Sequence, residues 1–294
     1  MIYSNPEKRH DFILIFDVKD GNPNGDPDAG NLPRVDPETM QGLVSDVSLK
    51  RKVRNWVALT QDENIYVENE GVLYNQQELA YQDLELDEKA NDRDSIDYAR
   101  DWMCKNFYDV RTFGAVMSTS KFNCGQVQGP FQLTFARSVD PIVPMDLSIT
   151  RVAVTKPEDA RKQSSDDEGE SSNKITEMGR KTMIPYGLYV AHGFYNPYFA
   201  DNTGVTEEDL EIFWESLVKM WDLDRSASRG MMACRGLYIF THEDKTGNAP
   251  ANKLFDLIEV SKKDKVETPR SFNDYQVSVK KGIPDKITLS KILD

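Results

Sequence analysis

The sequence predicts a mixed α+β domain, and three observations carry that prediction. Short β-branched and aromatic runs recur along the chain, two segments carry apolar residues at helical spacing, and two polar, acidic stretches interrupt them. Phe12-Ile-Leu-Ile-Phe-Asp-Val18 is continuous, apolar and too short for a helix, so it reads as a buried strand. Asp20 to Pro37 then holds Gly21, Gly25, Gly30 and Pro23, Pro27, Pro33, Pro37, a long structured loop of the kind that often carries function. A helix begins at Ser45 or Asp46, either a good N-cap, and runs to about Leu59. Residues 61–95 read as a polar insertion with little core potential, and Ile96 to Phe107 as a helix. Phe131, Leu133 and Phe135 alternate with Gln132, Thr134 and Ala136, which predicts a strand with one buried face. Leu147 to Thr155 and Thr182 to Tyr195 also read as strands. The acidic, Ser-rich stretch 157–173 between them predicts disorder, so the whole describes a protruding hairpin. Thr206-Glu-Glu-Asp209 is a capping-box variant, and Leu210, Phe213, Trp214, Leu217, Val218 and Trp221 follow on one helical face as core packing. Leu237 to Thr241 and Tyr275 to Val279 complete the strands, and the chain shows no internal repeat.

A chain of 294 residues suffices for one large domain or two small ones, and 39% hydrophobic with 29% charged residues is ordinary for a soluble protein. The longest apolar run, Phe12 to Phe16, is far too short to span a bilayer, and the N-terminus lacks the pattern of a secretion signal. Cys104, Cys124 and Cys234 stand far apart, which fits free thiols in a reducing compartment. A cytoplasmic protein without a membrane partner is therefore expected. The net charge of −13 argues at first against nucleic acid. Its distribution weakens that objection: residues 61–101 hold thirteen acidic and three basic side chains, and 163–173 four acids and no base. The rest of the chain is nearly neutral, so net charge does not decide the partner.

The first helix carries Lys50-Arg51-Lys52-Val53-Arg54. At about 100° per residue, Leu49, Val53, Trp56 and Val57 form its apolar face. Lys50, Arg51 and Arg54 spread over one flank, with Lys52 on the far side of the core stripe. Three cations on a flank suit a run of phosphates, or equally a solvated basic face; the Gly/Pro/Asn loop feeding this helix favours anion binding. Asp20-Gly-Asn-Pro-Asn-Gly25 begins like a calcium loop, but Asn31 stands where a bidentate Glu is needed and a strand precedes it. The glycines fit neither dinucleotide nor P-loop spacing. No Cys or His spacing suggests zinc, and nothing supports a cysteine dyad with His192, so neither metal nor cofactor is expected. Asp26 and Asp28 leave open a metal-dependent RNase as the alternative. Arg235-Gly-Leu-Tyr-Ile-Phe240 starts like the signature strand of an RNA-recognition motif, but the match fails past Gly236.

Together, Phe16 to Arg34, Asp36-Pro-Glu-Thr39 and Leu49 to Asn55 resemble the backbone subunit of the type I-C CRISPR surveillance complex (Cascade), the Csd-two branch of the Cas-seven superfamily. Asp109 to Met117, Asn123 to Pro130, Ser148 to Thr155, Met178 to Lys181, Pro185 to Tyr189 and Asp224 to Gly230 extend the resemblance over nearly the whole chain. It implies one palm domain over 1–294, like an RNA-recognition motif (ferredoxin-like). Interrupting the palm are an acidic finger at 61–95 and a β-hairpin thumb at 147–186 with its disordered tip at 157–173. It implies a non-catalytic scaffold whose copies line up along the guide RNA (crRNA) with other Cascade subunits and present it to target DNA, so that base pairing reads sequence. The RNA contacts it implies are Asn24, Arg34, Lys50, Arg51 and Arg54, then Arg111, Phe113 and Gly114. On the thumb they are Arg151, Arg180 and Lys181, with Met178 as a wedge at a kink of the guide. Related subunits of type III complexes cut target RNA with an acid in the loop before the basic helix, a place Asp26, Asp28 or Asp36 would fill.

Overall fold

The computed structural model describes residues 1–87, 90, 92–118, 121–151, 153 and 177–293. In chain order the elements are β1 (His10–Gly21), β2 (Gly25–Asp26), β3 (Leu32–Pro33), β4 (Gln41–Val44), α1 (Asp46–Thr60), α2 (Leu73–Asp83), α3 (Arg93–Asn106) and α4 (Tyr108–Phe113). Then come β5 (Gly114–Val116), β6 (Gln126–Gln128), β7 (Phe131–Leu133), β8 (Ala136–Pro141), β9 (Met145–Arg151), β10 (Glu177–Tyr195), α5 (Pro197–Thr203) and α6 (Glu207–Leu223). Last are β11 (Met231–His242), α7 (Ala251–Phe255), β12 (Ile258–Lys262), β13 (Tyr275–Val279) and β14 (Ile287–Leu293).

The main sheet runs β14-β11-β1-β10-β8-β4, with β7 and β9 also paired to β10. β1 lies inside it, antiparallel to β10 from His10 opposite Tyr195 to Gly21 opposite Ile184, and antiparallel to β11 on its other edge. A strand covered on both faces has no polar side to show, which is why β1 reads as a continuous apolar run. Phe12, Leu14, Phe16 and Val18 face the helices, where they meet Leu49, Val53, Trp56 and Val57 of α1 and Leu210, Phe213, Trp214, Leu217 and Trp221 of α6. Phe131 and Phe213 have ring centroids 3.8 Å apart, and Phe16 stacks between Tyr189 and Trp221 at 5.4 and 4.7 Å. Truncating such a ring costs about 3–5 kcal/mol in a core that cannot collapse around the void.

On the opposite face Ile13, Ile15, Tyr238 and Phe240 pack against Leu254 of α7, Ile258 of β12 and Tyr275 of β13. The sheet is thus closed on both sides. Tyr238 and Phe240, the aromatics of the weak RNA-recognition signature, are core residues rather than a stacking platform.

Two expectations need correction. Residues 61–95 are not devoid of core: Tyr66, Ala80 and Tyr81 are buried with Ala99, Met103, Phe107, Phe122 and Cys124 in a separate cluster. Val67, Leu84, Leu86 and Ala90 pack against the same cluster, to which α3 contributes Ala99, Met103 and Cys104. Phe135 is not on the buried face but 52% exposed. Thr134 donates its N–H to the His192 carbonyl, and its hydroxyl accepts from the His192 N–H at 3.1 Å. A side chain thereby replaces a ladder carbonyl, and the alternation breaks between β7 and β8.

Candidate nucleic-acid interface

Four segments meet at one end of the main sheet. β1 leaves it at Gly21, which pairs with Ile184 of β10 just where β10 parts from β9, and Lys19 pairs with Met231 at the start of β11. The loop after Gly21, the hairpin of β9 and β10, and the loop of residues 224–230 before β11 therefore emerge side by side. Their contact is close: the Asn22 N–H donates to the Ser228 carbonyl at 2.7 Å, and Arg229 Nη1 donates to the Pro23 carbonyl at 3.1 Å. A Cβ on Gly21 would lie 2.0 Å from the Arg229 carbonyl oxygen, and one on Gly230, at φ +64°, would lie 2.4 Å from the Asp20 carbonyl oxygen. Only glycine permits that approach.

The fourth segment is the N-terminus of α1, and Asn24 holds it in place. Asn24 Oδ1 accepts from both the backbone N–H and the hydroxyl of Ser45, the N-cap of α1, at 2.9 Å each. Arg34 ties the same loop together, its N–H donating to the Asn24 carbonyl and its guanidinium lying 3.5 Å from Asp26. Asn22 Oδ1 and Arg34 Nε are buried and have no partner among the described residues.

The predicted cations divide into two groups. On α1 they are largely engaged by protein. Arg51 donates to the Val67 carbonyl at 2.7 Å. Arg54 Nε donates to Asp109 at 2.7 Å, and Asp109 in turn accepts from the N–H groups of Tyr66 and Val67. Both arginines thus fasten the 61–95 insertion to α1. Lys50 reaches Asp46 at 3.4 Å and lies 5.6 Å from the Phe113 ring centre, with Arg54 at 5.2 Å. Lys52, expected on the far side of the core stripe, is 1% exposed and ion-paired with Asp224, beside Arg229 Nε at 3.2 Å from the same carboxylate. Burial, then the charge of Arg229, pushes the Lys52 ammonium below its ordinary pKa.

Arg111 and Phe113, also named as RNA contacts, are inside the protein, and Gly114, named with them, is half-buried. Arg111 donates to Asp209 and Glu63 at 2.8 and 2.7 Å. Burial disfavours its charge, but those two carboxylates outweigh burial and hold it above the usual arginine pKa. Phe113 is 6% exposed, and Gly114, at φ +81°, lets its backbone lie against Val127 and Gly129. Arg111 and Phe113 share one physical reason: α4 is buried between the insertion and α6, so its side chains face protein.

The second group lies on the hairpin, where the Arg151 Nε donates to the Ala153 carbonyl at 2.8 Å and Lys181 is half-buried. Arg180 is 83% exposed with Asp146 3.8 Å away, Lys181 stands opposite Leu147, and Arg151 is exposed on β9. Met178 pairs with Thr150. The predicted tip 157–173 lies outside the described residues. Arg225 and Arg229 lie at this end of the molecule too, and the sequence reading named neither as an RNA contact. Their signal was the Asp224-Arg-Ser-Ala-Ser-Arg-Gly230 run, whose partners only the fold reveals.

The loop acids are committed to local structure. Asp26 caps the turn at Asp28, and Asp36 accepts from the Glu38 and Thr39 N–H groups and from Arg137 at 2.8 Å. Arg137, then those N–H bonds, holds the Asp36 carboxyl below its ordinary pKa. Burial pushes the thiols of Cys104, Cys124 and Cys234 up to about 11, 12 and 11, so all three are packed, protonated thiols. Among the described residues no group of three His, Cys, Asp or Glu side chains is placed to hold a metal ion, and no helix is long and apolar enough to cross a membrane.

The class defined so far is an α+β sheet domain with a helical insertion and a long hairpin beside a glycine-rich loop. Residues 8–280 match the family model of CRISPR-associated protein Cas7, and the chain belongs to that family. A CRISPR-associated protein Cas7 from Haloferax volcanii is 24% identical over 97% of this chain and 84% of its own. Among solved structures, a chain of a CRISPR RNA-guided surveillance complex in a pre-nicking state shares 14% identity over 79% of this chain and 78% of that one, at a TM-score of 0.48. A second CRISPR RNA-guided surveillance complex gives 17% over 79% and 68% at 0.43, and a type III-B Cmr-beta complex bound to cognate target RNA gives 10% over 79% and 61% at 0.38.

Proposed function

We propose that the chain is a non-catalytic, cytoplasmic guide-RNA scaffold, the backbone subunit of a type I-C Cascade. Several copies line up along the spacer of the crRNA with the other Cascade subunits and present it for pairing with target DNA. The observation that carries this reading is the convergence at one sheet end of the Asn24–Arg34 loop, the α1 N-terminus, the 224–230 loop and the hairpin bearing Arg151, Arg180 and Lys181. Backbone N–H groups and guanidinium groups gathered there suit phosphates, which position a strand without reading it. Membership of the Cas7 family supports the same reading. Taken by their long elements, β1, α1, β8, β10, α6 and β11 give the strand order β11-β1-β10-β8. That is the order of a ferredoxin-like palm, to which 61–95 adds a finger and 147–186 a thumb.

The test is RNA binding against salt. Arg180→Glu with Lys181→Glu, and separately Arg225→Ala, should weaken binding to all guide sequences alike. For single-stranded RNA each lost phosphate contact lowers the slope of log K against log salt by about 0.7. Unchanged slopes in both variants would remove the hairpin and the 224–230 loop from the interface. Absence of catalysis is tested alongside: Mg²⁺-dependent cutting of bound target RNA that Asp26→Ala or Asp36→Ala abolishes would overturn it.

A further inference from the structure

The 224–230 loop is one of the four segments of the proposed RNA interface, yet its own charges cancel. Between Asp222 and Gly230 the chain carries two acids, Asp222 and Asp224, and two bases, Arg225 and Arg229. Arg225 is ion-paired with Asp222, and Arg229 Nε lies 3.2 Å from Asp224 Oδ2. Two neutral pairs offer a phosphate no surplus charge, and binding to phosphates needs one.

Lys52 changes that balance from inside the protein. Its Nζ, on α1, binds the same Oδ2 oxygen of Asp224 that Arg229 does. One carboxylate therefore serves two cations, and the corner keeps one positive charge in excess. The two cations differ in access. Lys52 is 1% exposed, so no ligand reaches it. Arg229 keeps 31% of its side chain exposed, and its Nη1 donates to the Pro23 carbonyl at 3.1 Å, which holds it between the two loops. Asp224 and the ring of Trp221, 6.0 Å from Nζ, both favour the charged form of Lys52. Salt screens a charge held inside protein far less than one in solvent.

We propose that Lys52 is a positioning residue for RNA: it engages Asp224 from within, so that Arg229 presents an uncancelled positive charge to a phosphate of the bound strand. This rests on the RNA interface proposed above, and adds to it a cation that the strand never touches.

The probe is a fluorescein-labelled oligouridine short enough for one copy of the protein, followed by anisotropy on the full chain. Arg229→Gln should weaken binding; if it does not, the 224–230 loop lies outside the interface, and that reading of the site fails together with this one. Where Arg229→Gln does weaken binding, the remaining variants test Lys52 alone. Lys52→Met should weaken binding on the order of fivefold at low salt, the scale of one unit charge acting through partly solvated protein. Adding Asp224→Asn to Lys52→Met restores the excess charge and should return affinity to that of the wild type, although the ion pair is gone. A role in shaping the loop alone would leave this double variant as weak as Lys52→Met. Asp224→Asn by itself should bind more tightly than the wild type, and it decides the matter where Lys52→Met does not fold. Lys253→Met, which removes an exposed cation from α7 on the opposite face of the sheet, should change nothing. Wild-type affinity in Lys52→Met, no recovery in the double variant, no gain in Asp224→Asn, or an equal loss in Lys253→Met would each overturn the proposal.

Discussion

His10 shows how one buried side chain makes the whole fold sensitive to acid. Its Nε2 faces the Asn5 carbonyl at 2.9 Å, which only accepts, so the ring proton sits there and Nδ1 accepts from the Thr241 hydroxyl. Burial lowers its pKa from 6.5 to about 4; the Asn5 carbonyl opposes the shift, and His242 adds to it. Between those values the unfolded chain binds a proton that the folded one refuses. The contribution is therefore complete above pH 6.5 and is lost as pH falls toward 4, up to about 3 kcal/mol. Urea unfolding at pH 7 and pH 4.5 should show that loss, and His10→Gln should flatten it. The Arg54–Asp109 pair makes a second case. Arg54→Ala leaves an almost fully buried carboxylate with two N–H donors and no cation, and should cost about 3 kcal/mol by the same measurement. At this scale the sequence was a partial guide. It marked Lys50 to Arg54 as basic, but helical angle alone could not tell that Lys52 would find Asp224, 172 residues away. The same holds for Arg111, whose partner Asp209 lies 98 residues on.

Helices were the most legible elements. α1 and α6 begin within a residue of the expected caps because their apolar stripes repeat at 3.6 residues and their starts carry Ser45 and Thr206. The Thr206 hydroxyl accepts from the Asp209 N–H, and the Asp209 carboxylate accepts from the Thr206 N–H, so Asp replaces Glu in the capping box without loss of either bond. Thr206→Ala should lower stability by about 1 kcal/mol in chemical denaturation, while Thr206→Ser should be nearly neutral. Strands were read in the core, in the hairpin arm β9 and at β13, but not everywhere. β4, β12 and β14 were missed: they lie at sheet edges or in a two-stranded ribbon, where a strand needs few apolar residues. The insertion was misjudged for a related reason. Its acidic surface dominates composition, whereas Tyr66, Ala80 and Tyr81 do the packing.

For the whole molecule, the decisive feature is that β10 belongs to two structures at once. Its first part, Glu177 to Met183, pairs only with β9, while from Ile184 onward it lies against β1 in the core. Its 19 residues span about 60 Å when extended, so the sheet anchors the hairpin at its base, while β9 along its arm is mostly exposed. The sequence made this arrangement visible as two extended arms around an acidic stretch; it could not show that the arm is continuous with the central sheet. The architecture predicts that the hairpin can be removed without unfolding the domain. Asp146 and Thr182 face each other across the base, and the Thr182 hydroxyl donates to Asp146 at 3.2 Å. Replacing 147–181 by a short Gly-Asn-Gly turn should therefore leave the melting temperature within a few degrees, because β10 keeps its register from Ile184 on. The shortened protein should still bind short RNA weakly, through the 224–230 and Asn24–Arg34 loops, yet fail to assemble regular arrays on a full-length guide. Chemical probing of the wild-type assembly should show one hyper-reactive nucleotide per subunit at even spacing, and the shortened protein should show none. A uniform reactivity pattern in wild type would overturn the kinked-guide arrangement, and a collapse in thermal stability would mean that the hairpin is packed against the domain rather than projecting from it.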